Sequence, residues 1–151
     1  MPDPHFENSI AAVASAMELS QDPWWIIGSA AVVLHGSDPG TIADIDVMIS
    51  ERDLKALYMR LPLSNTPEVG KPMFRSDLFG RWSEPKLEVE FMAGLRLREA
   101  GEWHPIKPKT RVAFPVGKQI LFAPEKAELV NILLRFGREK DCLRAASLEN
   151  M

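Results

Sequence analysis

Two aspartates spaced two residues apart, Asp44 and Asp46, are the residues of this sequence best suited to chemistry. They alternate with Ile45, Val47 and Ile49, and that alternation predicts a β-strand. Side chains two apart in a strand point to the same face, so the two carboxylates would lie side by side. Like charges that close repel one another, and a cation relieves the repulsion. Hard oxygen ligands suit Mg²⁺ or Mn²⁺, so the spacing predicts a divalent metal site.

A second element precedes the aspartates. The apolar run 24–27 predicts a buried strand that ends at Gly28, and the alanine-rich run 29–35 predicts a short helix with Ser29 near its start. Glycine lets a ligand approach the backbone closely, and a helix start offers N–H groups and a positive dipole end to a phosphate. A phosphate site beside a dicarboxylate metal site is the equipment for phosphoryl or nucleotidyl transfer.

A third segment carries two further carboxylates. Residues 86–92 alternate between polar and apolar types and predict a strand, with Glu88 and Glu90 on its polar face. One interpretation makes this face the wet side of an antiparallel strand. The other adds one of the two glutamates to the metal site.

The run from Gly28 to Gly36, followed by Asp44-Ile45-Asp46-Val47, resembles the signature of the nucleotidyltransferase superfamily, whose fold is that of DNA polymerase β. The family pattern is a strand ending in Gly-Ser or Gly-Gly, a short helix, an Asp-x-Asp strand, and a third carboxylate from a later strand. The resemblance makes Glu90 the preferred third carboxylate and Glu88 the alternative. It implies that Asp44, Asp46 and Glu90 are catalytic metal ligands and that Gly28 and Ser29 bind nucleotide.

The C-terminal part extends the resemblance, which covers roughly Trp24 to Leu148. Residues 122–126 and the run Arg138-Glu139-Lys140-Asp141 are similar to the tails of small stand-alone bacterial members, among them toxins of toxin–antitoxin pairs. We assign Lys140 to nucleotide phosphate binding. The alternatives are a solvated basic helix face, or a structural pair with Asp141.

The resemblance implies transfer of an NMP from an NTP to a small molecule, a protein or an RNA, with release of pyrophosphate. Two departures weaken the inference of activity: residues 40–43 lack the arginine that many relatives have, and Glu90 replaces an aspartate. The alternatives are a catalytically inactive nucleotide-binding or protein-interaction module, and the toxin of a toxin–antitoxin pair. The candidate protein partners are a second copy of this short chain, which would complete an acceptor site in a homodimer, and the antitoxin that a toxin would have.

Bulk properties fit one domain spanning residues 1–151, with 46% hydrophobic and 26% charged residues. The net charge of −3 does not indicate nucleic-acid binding. No secretory signal or apolar run of the ~18–20 residues that a membrane span needs is found. With one cysteine, Cys142, the expected location is cytoplasmic. That cysteine is predicted to be a small core residue of the last helix.

The predicted element order is α, β, α, β, α, β, β and then helices, with additional short strands near 111–116 and 119–122. This order predicts an α/β (α+β) fold: a mixed sheet flanked by helices, with a helical C-terminal tail. The segment 62–72 is predicted to be a loop, 74–79 a single strand, and His104 a loop residue.

Overall fold

The computed structural model describes residues 3–66 and 72–151, a mixture of helices and strands that confirms the predicted fold class. The predicted loop 62–72 lies partly outside the described residues. The elements are α1 (Pro4–Ala16), a 3₁₀ turn (Met17–Leu19), β1 (Trp25–Ile27), α2 (Gly28–Leu34), β2 (Asp44–Met48), α3 (Glu51–Tyr58), β3 (Phe74–Arg75), β4 (Leu78–Trp82), β5 (Glu88–Ala93), β6 (Arg96–Glu99), β7 (Glu102–Pro105), β8 (Val112–Val116), β9 (Gln119–Ala123), α4 (Lys126–Phe136) and α5 (Glu139–Glu149).

The main sheet has four strands in the order β1-β2-β5-β4. Strand β2 pairs antiparallel with β1 and parallel with β5, and β4 runs antiparallel to β5. The parallel pair needs a crossover connection, which α3, β3 and β4 provide. The strand predicted from the alternation around the two aspartates is confirmed, and it lies in the interior of a mixed sheet.

One face of this sheet forms the core. Ile45 and Val47 of β2 and Val89 and Phe91 of β5 are fully buried, and they belong to a hydrophobic cluster with residues of α1 and α3. The intervening residues of both strands point to the opposite face, because side chains alternate along a strand. A smaller cluster with residues from α4, including Phe136, covers part of that second face. The polar positions of β2 and β5 are thereby directed away from the main core.

Helix α1 is attached to the start of β5 by a buried hydroxyl. The Ser9 side chain donates to the Leu87 carbonyl at 3.1 Å and accepts from the Leu87 N–H at 2.7 Å, and Ser9 is fully buried. A buried backbone group without a partner is costly, so this hydroxyl replaces ladder hydrogen bonds that the strand lacks at its end. It helps to hold α1 against β5.

Helix α3 begins at a side-chain cap, Ser50. The Ser50 side chain accepts a hydrogen bond from the Asp53 N–H at 3.1 Å. The Asp53 carboxylate does not complete a capping box. It accepts from the N–H groups of Gln21 and Asp22, each at 2.9 Å, and so fixes the loop before β1.

Glu128 of α4 holds the segment that precedes β8. Its carboxylate accepts hydrogen bonds from the Lys109 N–H, the Thr110 N–H and the Thr110 hydroxyl, at 2.6–2.8 Å. Burial raises the pKa of Glu128, but the hydrogen bonds from Thr110 and Lys109 outweigh it, and the pKa lies below its ordinary value. The ionised carboxylate is therefore part of the folded structure.

Several predictions of detail were wrong. The predicted single strand 74–79 is two strands, β3 and β4, and the β6–β7 hairpin was not predicted. His104 lies in β7, not in a loop. Cys142 is exposed, because the buried positions of α5 are Asp141, Ala145 and Leu148. The hairpin escaped prediction because each strand has only four residues, so the alternation of Leu95 and Leu97 with Arg96 and Arg98 is too short to indicate a strand by itself.

No helix within residues 3–66 and 72–151 is long and apolar enough to cross a membrane.

Candidate active site

Three carboxylates converge on the polar face of the main sheet. Asp46 lies opposite Glu90 in the parallel β2–β5 register, and one oxygen each from Asp44, Asp46 and Glu90 lies within 4.8 Å of the others. Glu90 is 5% exposed, while the two aspartates are partly exposed. Oxygens that share one Mg²⁺ at about 2.1 Å lie at most ~4.2 Å apart. Small side-chain adjustments would therefore bring this group into the range of a divalent ion, and its donor chemistry fits Mg²⁺ or Mn²⁺.

The structure separates the two candidate glutamates. Glu88 lies opposite Asp44 in the same register, but its side chain is exposed and accepts a hydrogen bond from the Ser83 hydroxyl at 2.6 Å. It is not a member of the three-carboxylate group. The geometry therefore favours Glu90, the preferred residue of the sequence analysis.

A guanidinium that the sequence analysis did not single out adjoins the cluster. Arg81 of β4 lies opposite Glu90, and its Nη2 donates to Glu90 Oε2 at 2.9 Å. The two side chains are 20% and 7% exposed, so the pair is largely shielded from solvent. The positive charge of Arg81 offsets one of the three carboxylate charges. The two negative charges that remain match the charge of one divalent ion. The sequence signal that could have identified this residue is that it is the one charged side chain within the mostly apolar run 78–82.

Gly28 joins β1 to α2 directly behind Asp46. Its φ is +67°, a left-handed conformation that glycine adopts without strain. A Cβ at this position would lie 3.0 Å from Asp46 Oδ2. Glycine is therefore favoured here for two reasons: the backbone conformation is left-handed, and a side chain would crowd the Asp46 carboxylate. Ser29, 7% exposed, follows it in the first turn of α2.

The predicted nucleotide residues line a cavity of about 570 Å³, which we call the polar cavity. It extends from the start of α2, across the loop before β2, to the polar side of α5. Its lining includes Gly28, Ser29, Asp38, Thr41, Asp44, Asp46, Arg138, Lys140 and Arg144.

A second cavity of about 270 Å³, which we call the apolar cavity, lies beside the first. It is lined by Ile27, Asp46, Phe74, Arg75, Ser76, Phe79, Glu90, Met92, Leu95, Phe136 and Arg138. Asp46, Phe136 and Arg138 line both cavities, so the two spaces meet beside the carboxylates.

Asp141 fixes the N-terminus of α5 through Arg138. The carboxylate accepts from the Arg138 backbone N–H at 3.2 Å and from its guanidinium Nε and Nη2 at 2.7 and 3.1 Å. Asp141 is 1% exposed. The internal pair at this end of α5 is thus Arg138–Asp141, whereas Lys140 is exposed and borders the polar cavity.

The loop before β2 is held by an arginine of α5. Arg144 donates to the carbonyls of Pro39 and Thr41, each at 3.0 Å. The hydroxyls of Ser37 and Ser147 also contact one another. Helix α5 therefore holds the loop that leads into the Asp-x-Asp strand.

Comparisons with known proteins agree with this architecture. No protein-family model matches the chain, and no curated protein matches it. Solved structures do. A candidate nucleotidyltransferase from Thermotoga maritima, TM1012, has a TM-score of 0.72 at 18% identity, over 99% of this chain and 96% of that one. The antibiotic-resistance factor ANT(2″)-Ia has a TM-score of 0.62 at 10% identity, over 99% and 85% of the two chains.

The lincosamide antibiotic adenylyltransferase LnuA, solved with lincomycin bound, has a TM-score of 0.59 at 11% identity, over 97% of this chain and 96% of that one. Together the three similarities show that this chain has a nucleotidyltransferase-like fold. The predicted resemblance is thereby confirmed at the level of the fold.

Proposed function

We propose that this protein is a metal-dependent nucleotidyltransferase that transfers an NMP from an NTP to the hydroxyl of a small molecule. The observation that carries the proposal is the convergence of Asp44, Asp46 and Glu90 directly in front of Gly28. The sequence predicted that a carboxylate cluster and a glycine-led helix start would meet, and the proposal depends on that juxtaposition. The nucleotidyltransferase-like fold supports it.

In the proposed reaction, the acceptor oxygen bonds to the α-phosphorus of the NTP. The bond from that phosphorus to the bridging β-phosphate oxygen breaks, and pyrophosphate leaves. The hydroxyl proton passes to the carboxylate cluster, where Glu90 borders the apolar cavity. A Mg²⁺ or Mn²⁺ ion held by Asp44, Asp46 and Glu90 would neutralise charge on the phosphates and make the acceptor hydroxyl more acidic.

The residues around the cluster have supporting roles. Gly28 and Ser29 place backbone N–H groups and a hydroxyl beside the phosphates in the polar cavity, and Lys140 adds a positive charge at its rim. Arg81 donates a hydrogen bond to the Glu90 carboxylate and so restricts its orientation beside the two aspartates. These are interactions that position phosphates and stabilise charge, which is most of what such a transfer requires.

A small-molecule acceptor is the choice that the comparisons support best. Two of the similar structures are an antibiotic-resistance factor and an adenylyltransferase with an antibiotic bound. The net charge of −3 argues against a long RNA acceptor, because nucleic-acid binders carry a basic excess.

Calorimetric titration tests the nucleotide site. ATP, GTP, CTP and UTP are titrated in turn with Mg²⁺ or Mn²⁺ into the native protein and into the double variant Asp44→Asn/Asp46→Asn. We expect metal-dependent binding of at least one NTP, lost in the double variant. Glu90→Gln should weaken binding at least about tenfold, since it removes a metal ligand. Glu88→Gln is the matched control, because Glu88 lies two residues before Glu90 on the same strand. This variant should bind NTP as the native protein does.

The outcomes separate the alternatives. No NTP binding with either metal would refute the proposal. Binding without pyrophosphate release, in the presence of a broad set of small hydroxyl compounds, would identify an inactive nucleotide-binding module. Thermal unfolding of each variant shows whether a lost affinity reflects the site or the fold.

A further inference from the structure

We propose that the apolar cavity is the acceptor site, and that it takes a small hydroxyl compound with a single-ring apolar body and an anionic group. This inference rests on the proposed function and specifies its second substrate. Three features of the cavity carry it: its position relative to the carboxylates, its walls and its charges.

Position assigns the two cavities to the two substrates. Asp44, Gly28 and Ser29 line only the polar cavity, Glu90 lines only the apolar one, and Asp46 lines both. In an in-line displacement the nucleophile approaches the phosphorus from the side opposite the leaving group. With pyrophosphate held at Gly28–Ser29, the acceptor hydroxyl must come from the Glu90 side. That side is the apolar cavity.

The walls define the body of the acceptor. Phe74 and Phe136 meet edge to face with ring centroids 4.9 Å apart, and Phe79, Met92 and Leu95 add further apolar surface. Aromatic edges and faces favour another ring over a flexible polar chain. At about 270 Å³ the cavity lies just below the range typical of drug-sized ligands, which suits a compound with one ring.

The charges define its polar group. Among the described residues, the charged side chains of the cavity are Asp46 and Glu90, which the metal site uses, and Arg75 and Arg138. The Arg138 guanidinium lies 5.1 Å over the Phe74 ring, so it faces the aromatic wall. An anionic group thus meets the Arg75 guanidinium, with Arg138 beside it already paired with Asp141, whereas an ammonium group meets no lining carboxylate beyond the metal ligands. Cationic acceptors are disfavoured.

Three probes with one scaffold test this inference. 3-(4-Hydroxyphenyl)propanoate, 4-ethylphenol and tyramine share a phenol with a two-carbon arm, which carries a terminal carboxylate, no further group or a terminal ammonium. Dissociation constants are measured by saturation-transfer NMR on the full chain with Mg²⁺. We expect the propanoate to bind at least about tenfold more tightly than tyramine, with 4-ethylphenol between them.

A charge reversal then links the preference to the cavity. Arg75 is exposed and lies 5.2 Å over the Trp103 ring. Arg75→Glu should cancel or invert the order of propanoate and tyramine. Arg98→Glu is the matched control, because Arg98 is also exposed and lies 6.0 Å over the same indole but does not line the cavity. It should leave the order unchanged.

Equal binding of the three probes, tighter binding of tyramine, or the same effect of both charge reversals would overturn the inference. The NTP titration is measured independently of the probes. NTP binding without the probe preference would overturn only the acceptor assignment. Loss of NTP binding would overturn the proposed function itself.

Discussion

Replacing Gly28 with alanine separates a backbone requirement from a requirement of the site. The variant adds one methyl group to a residue whose φ is +67° and whose Cβ would lie 3.0 Å from Asp46 Oδ2. Each feature has its own cost. The left-handed backbone destabilises the folded state, and the close contact displaces a proposed metal ligand.

The two costs have different sizes and different readouts. An alanine in the left-handed region costs roughly 1–2 kcal/mol of folding stability. Each kcal/mol lowers the Tm of a domain of this size by roughly 2–4 °C. Displacing Asp46 by a few tenths of an ångström should weaken metal-dependent NTP binding by about 10- to 100-fold, the usual effect of disturbing the support of a metal ligand. That loss corresponds to ~1.4–2.8 kcal/mol of binding free energy.

Gly117 provides the matched control. Its φ is +59°, and a Cβ there would meet nothing within 4 Å. Gly117→Ala should therefore lower the Tm by an amount similar to Gly28→Ala while NTP affinity stays at the native value. Thermal unfolding and calorimetric titration on both variants measure the two effects. Equal NTP affinity in the two alanine variants would refute the argument that Asp46 at this position serves the nucleotide site.

Three further predictions concern stability. Arg81→Gln removes the cation beside buried Glu90 and should lower the free energy of unfolding by about 3 kcal/mol at pH 7. Saturating Mg²⁺ should restore part of the lost stability, because the ion binds the folded state. Urea unfolding in which Mg²⁺ does not stabilise the variant would argue against the metal site. Glu128→Gln should cost about 2 kcal/mol at pH 7. The pKa of Glu128 is lowered in the folded protein. The extra stability of the native protein over this variant is therefore fully present above the ordinary pKa of Glu128, and it is lost as the pH falls through the pKa of the folded state. A deficit equal at pH 7 and pH 3 would contradict this. Ser9→Ala removes a buried hydroxyl with two backbone partners and should cost about 2 kcal/mol in chemical denaturation. Exposed Ser15→Ala is its control, and equal effects would count against the Ser9 contacts.

Strand periodicity was sufficient to predict which carboxylates share a face. Asp44 and Asp46 lie two residues apart, as do Glu88 and Glu90, so a parallel β2–β5 pairing with matched faces brings all four to one side of the sheet. Periodicity alone could not choose between Glu88 and Glu90. That choice depends on which glutamate is covered by neighbouring structure, and such burial is a property of the assembled fold.

Contacts between distant segments were beyond local patterns. Arg81 reaches Glu90 only because β4 and β5 pair in one register, and Arg144 reaches the loop before β2 from about a hundred residues away in sequence. The misjudged burial of Cys142 has a related cause. On α5 the inward face includes Asp141, a charged residue buried by its pairing with Arg138, and hydrophobicity alone would place such a position outside.

The hydrogen bonds from Arg144 of α5 to the loop before β2 have a consequence for protein synthesis. At roughly 5–20 residues per second, about 5–20 seconds separate the emergence of Asp46 from that of Arg144. During that interval the nascent chain carries its carboxylates without the helix that supplies Lys140 and holds the loop. A ribosome-bound intermediate can therefore attract cations but lacks one wall of the polar cavity. If the nucleotide binds in the polar cavity, the chain can hold it only after α5 has docked. Chains truncated before this helix would therefore bind no nucleotide and have no transferase activity.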